Sequence, residues 1–115
     1  MFDFEKLDVY QKAKSFNSFV YQYIQSYKGL DSTTKNQLRR ASLSIMLNIA
    51  EGSSRFSKPD RRNFFVIARG SIFECVAIFN FMKEHKLLTD ETHKDLYSRA
   101  EELSKITYAM IKNLS

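Results

Sequence analysis

Punctuation is what this chain lacks: three glycines and one proline are spread over 115 residues. An all-β fold needs turn residues about every 8–12 positions, so that architecture is excluded. Between the few breaks, apolar residues step by three or four, the spacing that places side chains on one face of a helix. Both observations predict an all-α chain.

Four helical stretches follow from that spacing, over about residues 5–28, 31–56, 58–85 and 90–114. The first carries Val9, Ala13, Phe16, Val20 and Ile24, with Gly29 expected to supply a left-handed residue just past its end. The second begins near Asp31–Thr34, where Thr34 and Gln37 have the spacing of a capping box, and its stripe of Leu38, Ala41, Ser42, Ile45, Ile49 and Gly52 reaches Phe56. Ser57 caps the third, with Pro59 in its first turn; Phe64, Ala68, Ser71, Cys75, Ile78 and Met82 form its stripe. Thr89 caps the fourth, which runs through Leu96, Ala100, Leu103, Thr107, Met110 and Leu114. Short joints between long helices predict one domain, residues 1–115, folded as an antiparallel up-down-up-down four-helix bundle.

A hairpin pivoting near residues 56–57 sets Arg40 opposite Glu74 and Glu51 opposite Arg62, two expected structural ion pairs. The same register sets Ser42 and Ser44 against Gly70 and Ser71, small residues that let the backbones approach. On the third helix Val66, Phe73, Ala77 and Phe81 point away from the core stripe. Four helices cannot surround one of their own members, so this back face is expected to meet another subunit in a homo-oligomer.

Reactive chemistry finds little footing. His85 follows Glu84 directly and His93 stands two after Glu91, spacings that do not build a metal site, and no H-x-x-x-H or C-x-x-C occurs. Cys75 falls mid-helix on the core stripe and reads as a buried inert thiol. Gly52 and Gly70 are isolated, so no phosphate-cradling loop exists, and the expected arginine partners of Glu51 and Glu74 argue against an acid–base pair. The expectation is a protein that is not an enzyme and carries no cofactor. A lone cysteine, an N-terminus without a basic-then-apolar leader, and Arg69 and Glu74 within the long apolar stretch 64–82 point to the cytoplasm and away from membranes.

The formal net charge of +5 is unevenly spread: residues 31–62 hold seven basic side chains against three acidic ones, while residues 87–115 hold four against five. A basic stretch of this kind suits RNA or another nucleic acid through phosphate contact. With Arg40 and Arg62 assigned to ion pairs, Arg39, Arg55, Lys58 and Arg61 are the candidates. A scaffold that binds a protein partner and no nucleic acid is the alternative. Tyr10, Tyr21, Tyr23 and Tyr27 are able to stack on bases, but beside Phe16 and Phe19 at helical spacing they are expected to pack against the fourth helix or another subunit.

One string goes further. "QLRRASLSIMLNIAEGSSRFSKPDRRNFFVIARGSIFE", residues 37–74, resembles the signature of the small four-helix bundle proteins encoded in bacterial 23S rRNA intervening sequences. The matching pieces are Gln37–Ala41, Ser44–Ile45, Asn48–Gly52, Arg55, Ser57, Ile67–Ser71 and Glu74, and FEKLDVYQKA at residues 4–13 fits as well. The resemblance implies an all-α bundle that assembles as a ring-like homopentamer. It also implies similarity to the accessory proteins of diversity-generating retroelements, which share the bundle and bind nucleic acid. No catalytic residue comes with it.

Overall fold

The computed structural model describes residues 1–115 and contains four α-helices and no strand. They are α1 (Asp8–Ser26), α2 (Ser32–Ser54), α3 (Lys58–Glu84) and α4 (Asp90–Asn113), preceded by a 3-10 turn over Asp3–Lys6. Helix starts follow their capping chemistry. Asp31 accepts from the Thr34 N–H (3.0 Å), Ser57 from the Asp60 N–H (3.2 Å) and Thr89 from the Thr92 N–H (3.1 Å). The acceptor at α2 is therefore the Asp31 carboxylate, and the expected Thr34–Gln37 capping box does not form. No side chain caps α1, and the chain enters it through the 3-10 turn, where the Phe2 N–H donates to Glu5 Oε1 (2.9 Å).

The helix ends differ more from expectation. No glycine adopts positive φ; the chain leaves α1 through Tyr27 in an extended conformation, and a Cβ on Gly29 would sit 2.9 Å from the Tyr27 ring. Gly29 thus makes room for an aromatic ring. The left-handed residue is Lys86, at φ 58°. Around it the Leu87 N–H donates to the Met82 carbonyl (2.7 Å) and the Lys86 N–H to the Lys83 carbonyl (3.1 Å). This is the Schellman pattern that terminates α3. Helix α2 stops at Ser54 and leaves Phe56 wholly exposed, because the extended approach to the Ser57 cap turns the stripe away from the core.

Helices α2 and α3 share the most extensive contact, α3 packs on α4, and α1 lies against α2 and α4, reaching α3 only through side chains across the core. The core lies along the shared axis. It is built from Val9, Ala13, Phe16, Val20 and Ile24 of α1; Leu38, Ala41, Ile45 and Ile49 of α2; Ala68, Ile72, Cys75, Phe79 and Met82 of α3; and Leu96, Ala100 and Leu103 of α4. Phe65, Ile72 and Phe79 extend the buried face of α3 beyond the expected stripe, while Phe64 and Ile78 are half-buried at its edge. Phe16 and Phe79 meet edge to face at 6.1 Å. At the end holding the α1/α2 and α3/α4 joints, Leu30 and Leu88 are buried, and the Tyr23 hydroxyl donates to the Leu87 carbonyl.

The α2/α3 seam is held by small and polar groups. Across it Ser71 Oγ donates to Ser44 Oγ (2.9 Å), while within α2 Asn48 Nδ2 donates to the Ser44 carbonyl (2.8 Å). A Cβ on Gly52 would fall 2.6 Å from Cε1 of the buried Phe65 and 3.0 Å from Phe64 Cβ. Gly52→Ala is therefore expected to destabilise the fold by about 1–3 kcal/mol through overpacking. Lys86→Gly relieves left-handed strain and should stabilise by roughly 1 kcal/mol. Urea denaturation midpoints should move in opposite directions for the two variants.

Candidate nucleic-acid interface

The four candidate basic residues fall into two places. Arg39 lies in the first half of α2, and Arg55, Lys58 and Arg61 lie around the α2/α3 joint. Sixteen residues of helix separate Arg39 from Arg55, about 24 Å at 1.5 Å per residue, so the fold does not bring them together.

At the joint the side chains are in unequal states. Arg55 Nη2 sits 3.7 Å from Glu51 Oε2, and its guanidinium lies over the Phe64 ring at 4.6 Å. Lys58 is exposed, with no carboxylate within 4.0 Å. Arg61 is half-buried, and its Nε is enclosed without a hydrogen-bond partner. Arg62 turns toward the chain terminus, where its Nε donates to Ser115 Oγ (3.0 Å). The expected Glu51–Arg62 pair is thus replaced by Glu51–Arg55. Those residues lie one helical turn apart at the end of α2, and the shorter reach wins.

The expected Arg40–Glu74 pair does not close either. Both side chains line a cleft of about 370 Å³ between α2 and α3, with Gln37, Ser44 and Ser71, but no cation approaches Glu74 within 4.0 Å. Both are exposed, where water competes with a surface ion pair worth at most about 1 kcal/mol. Arg40 also borders a second cleft, between α1 and α2, together with Arg39, whose guanidinium lies over the Tyr21 ring at 5.7 Å.

The tyrosines of α1 separate by role. Tyr10 meets Phe4 edge-on at 4.8 Å, and Tyr23 stacks on Tyr27 at 5.6 Å while bonding to the loop after α3. Tyr21 alone of these four is markedly exposed. On α3, Val66, Phe73, Ala77 and Phe81 are all exposed, with Phe73 reaching 54%. Gly70 stands between Val66 and Phe73 with open space where a Cβ would be. Arg69, expected only as a charge interrupting the apolar stretch of α3, turns out to reach across to α4. Its Nε donates to the Ser104 carbonyl (3.4 Å), and its guanidinium covers the Phe73 ring at 4.6 Å and the Tyr108 ring at 5.4 Å. Phe73 four residues after Arg69 was the available signal.

Comparison with known proteins agrees with this architecture. The sequence model of the family described as "23S rRNA-intervening sequence protein" matches residues 5–109. A crystal structure at 1.70 Å of a protein with unknown function from the S23 ribosomal protein family of Bacteroides thetaiotaomicron is similar in fold. Its TM-score is 0.84 at 21% identity, covering 90% of this chain and 98% of that one. No curated protein matches the sequence.

Among reactive groups, no three His, Cys, Asp or Glu side chains form a metal-holding cluster. His93 bonds through Nε2 to Asn80 Oδ1 (2.8 Å), and burial, with Lys83 nearby, lowers its pKa. Burial, reinforced by Glu74, pushes the Cys75 thiol up to about 12. At neutral pH it is a protonated core group and a poor nucleophile. The native protein should not react with a thiol reagent at pH 8, and one thiol should appear on unfolding. The unfolded thiol ionises near its ordinary 9.0 while the folded one holds its proton to about 12. The thiol's contribution is therefore complete below pH 9 and is lost as pH rises toward 12. Tyr23, raised by burial, acts in the same direction. Denaturation free energies between pH 8 and 11 should decline, less steeply for Cys75→Ala.

Proposed function

The chain belongs to the 23S rRNA-intervening sequence protein family, and from that premise we propose that it is a non-enzymatic, self-assembling bundle that binds RNA or other nucleic acid by phosphate contact. The observation that carries this reading is a set of basic side chains without carboxylate neighbours. Arg39, Lys58 and Arg61 have none within 4.0 Å, and Arg55 shares Glu51 only at 3.7 Å, on a chain of net charge +5. Such charges release condensed counterions on meeting phosphates.

Self-assembly is supported by the outer face of α3. By length and composition α3 is apolar enough to cross a membrane, yet only 33% of its most apolar window is buried in the bundle. Arg69 and Glu74 inside this helix would be costly in lipid, so the proposed cover for Val66, Phe73, Ala77 and Phe81 is another copy of the chain. The Ser44–Ser71 bond and the Gly52–Phe65 contact support an antiparallel, up-down-up-down connection, since the numbers advance on α2 as they retreat on α3. The family resemblance supports five copies in a ring, which would repeat each basic site five times and convert weak contacts into avid binding. The proposed compartment is the cytoplasm.

A second reading, a protein-binding scaffold without nucleic acid, draws on Leu43 and Leu47, exposed one turn apart on the outside of α2. Salt separates the two. The logarithm of affinity for a labelled generic RNA should fall linearly as log salt rises, and absence of binding near 50 mM salt favours the scaffold. Light scattering should give a multiple of 13.5 kDa, reduced to 13.5 kDa by Phe73→Glu with Phe81→Glu. A wild-type monomer would remove self-assembly.

A further inference from the structure

The positive charge of this protein is not centred on the basic turn that its sequence displays. Residues 9–50, comprising nearly all of α1 and most of α2, contain six basic side chains and one carboxylate. That surplus of five is the whole net charge; the remainder of the chain is balanced. The one carboxylate, Asp31, is occupied in capping α2, where its bond to the Thr34 N–H keeps it well ionised. Lys12 is paired with Asp8 (3.5 Å) and Glu102 (3.3 Å). Lys14, Lys28, Lys35, Arg39 and Arg40 have no carboxylate within 4.0 Å.

Within this region a cleft of about 530 Å³ opens between α1 and α2, a volume within the roughly 300–1,000 Å³ of small-ligand sites. Asn17, Asn36, Arg39, Arg40 and Ser42 line it together with Tyr21 and Leu43, with no acid among them. Ser42, only 1% exposed, donates from Oγ to Asn17 Oδ1 (2.9 Å). That bond occupies the amide oxygen of Asn17 and leaves its NH₂ as a donor. The Arg39 guanidinium over the Tyr21 ring adds a flat, cationic, aromatic surface at the same place.

Two arginines suit a phosphate, a stacked arginine–tyrosine pair suits the face of a base, and carboxamides suit a base edge. A lipid phosphate or a simple anion would use the arginines and leave the planar surface idle. We propose that the α1/α2 cleft holds one nucleotide of a single-stranded RNA, with its phosphate on Arg40 and its base against Tyr21 and Arg39. A base paired in a duplex cannot enter, because it must leave its stack. This rests on the nucleic-acid reading above, and it moves the discriminating contact from the turn to the opposite half of α2.

The test is fluorescence anisotropy of the intact protein with a labelled ten-nucleotide single-stranded RNA and with its duplex, across a salt series. Tyr21→Ala should weaken single-strand binding about tenfold with the salt slope unchanged, and Tyr21→Phe should restore it. Arg40→Gln should lower the slope by about 0.7. Adenosine monophosphate should compete better than inorganic phosphate. Tyr21, Arg39 and Arg40 are exposed, so these variants should melt as the wild type does. If the wild type binds RNA and Tyr21→Ala stays within twofold of it, or weakens duplex equally, the cleft assignment fails while nucleic-acid binding stands. Loss of binding in Lys58→Gln with Arg61→Gln would then place the contact at the turn. If the wild type binds neither RNA near 50 mM salt, both readings fall together.

Discussion

The close approach of α2 and α3 is the constraint on which the remaining geometry depends. Gly52 lies where any Cβ would strike the buried Phe65 ring, and Ser44 and Ser71 link the two helices through a side-chain hydrogen bond of 2.9 Å. Small residues let helix backbones approach closely, and the Gly52–Phe65 fit fixes the rotation of α3. With Phe65, Ile72 and Phe79 turned inward, Val66, Phe73 and Phe81 are turned outward. One choice of rotation therefore fills the monomer core and also strips an apolar face of cover. The same seam leaves Arg40 and Glu74 facing one cleft without meeting, because the serines hold the backbones and the longer side chains extend into water.

Arginine here finds aromatic rings more readily than carboxylates. Arg39 lies over Tyr21, Arg55 over Phe64, Arg69 over Phe73 and Tyr108, and Arg99 over Phe19. Only four ion pairs form, three of them between residues one turn apart on the same helix. At exposed sites a cation–π contact contributes about 0.5–1 kcal/mol, comparable with a surface ion pair. It also leaves the outward donors of the guanidinium free. A basic surface built in this way keeps its capacity for phosphate while its side chains are held in place.

Much of the architecture was legible beforehand. The α1 stripe, the caps at Ser57 and Thr89, the buried Cys75 and the Ser44–Ser71 contact follow from periodicity, hairpin register and capping rules. The expected Ser42–Gly70 approach does not occur, because Ser42 turns to Asn17 of α1 and Gly70 faces open space. The left-handed Lys86 was invisible, since lysine has no preference for that conformation. It adopts it because the Schellman bonds around Leu87 must close. The basic candidates fall into two groups, because the sixteen residues from Arg39 to Arg55 become about 24 Å of helix.

The amino-acid sequence by itself determined that this protein is helical, how many helices it has, which faces carry its core, and that its charge is positive. These depend on local spacing and composition. Tertiary structure alone decided which charges pair, where Arg39, Arg40 and Tyr21 come together across two helices, and which apolar face of α3 is left open. Those outcomes turn on helix rotation and side-chain reach, where a shift of an ångström or two separates an ion pair from an open cleft, and a near-threefold step in the sequence does not resolve such distances.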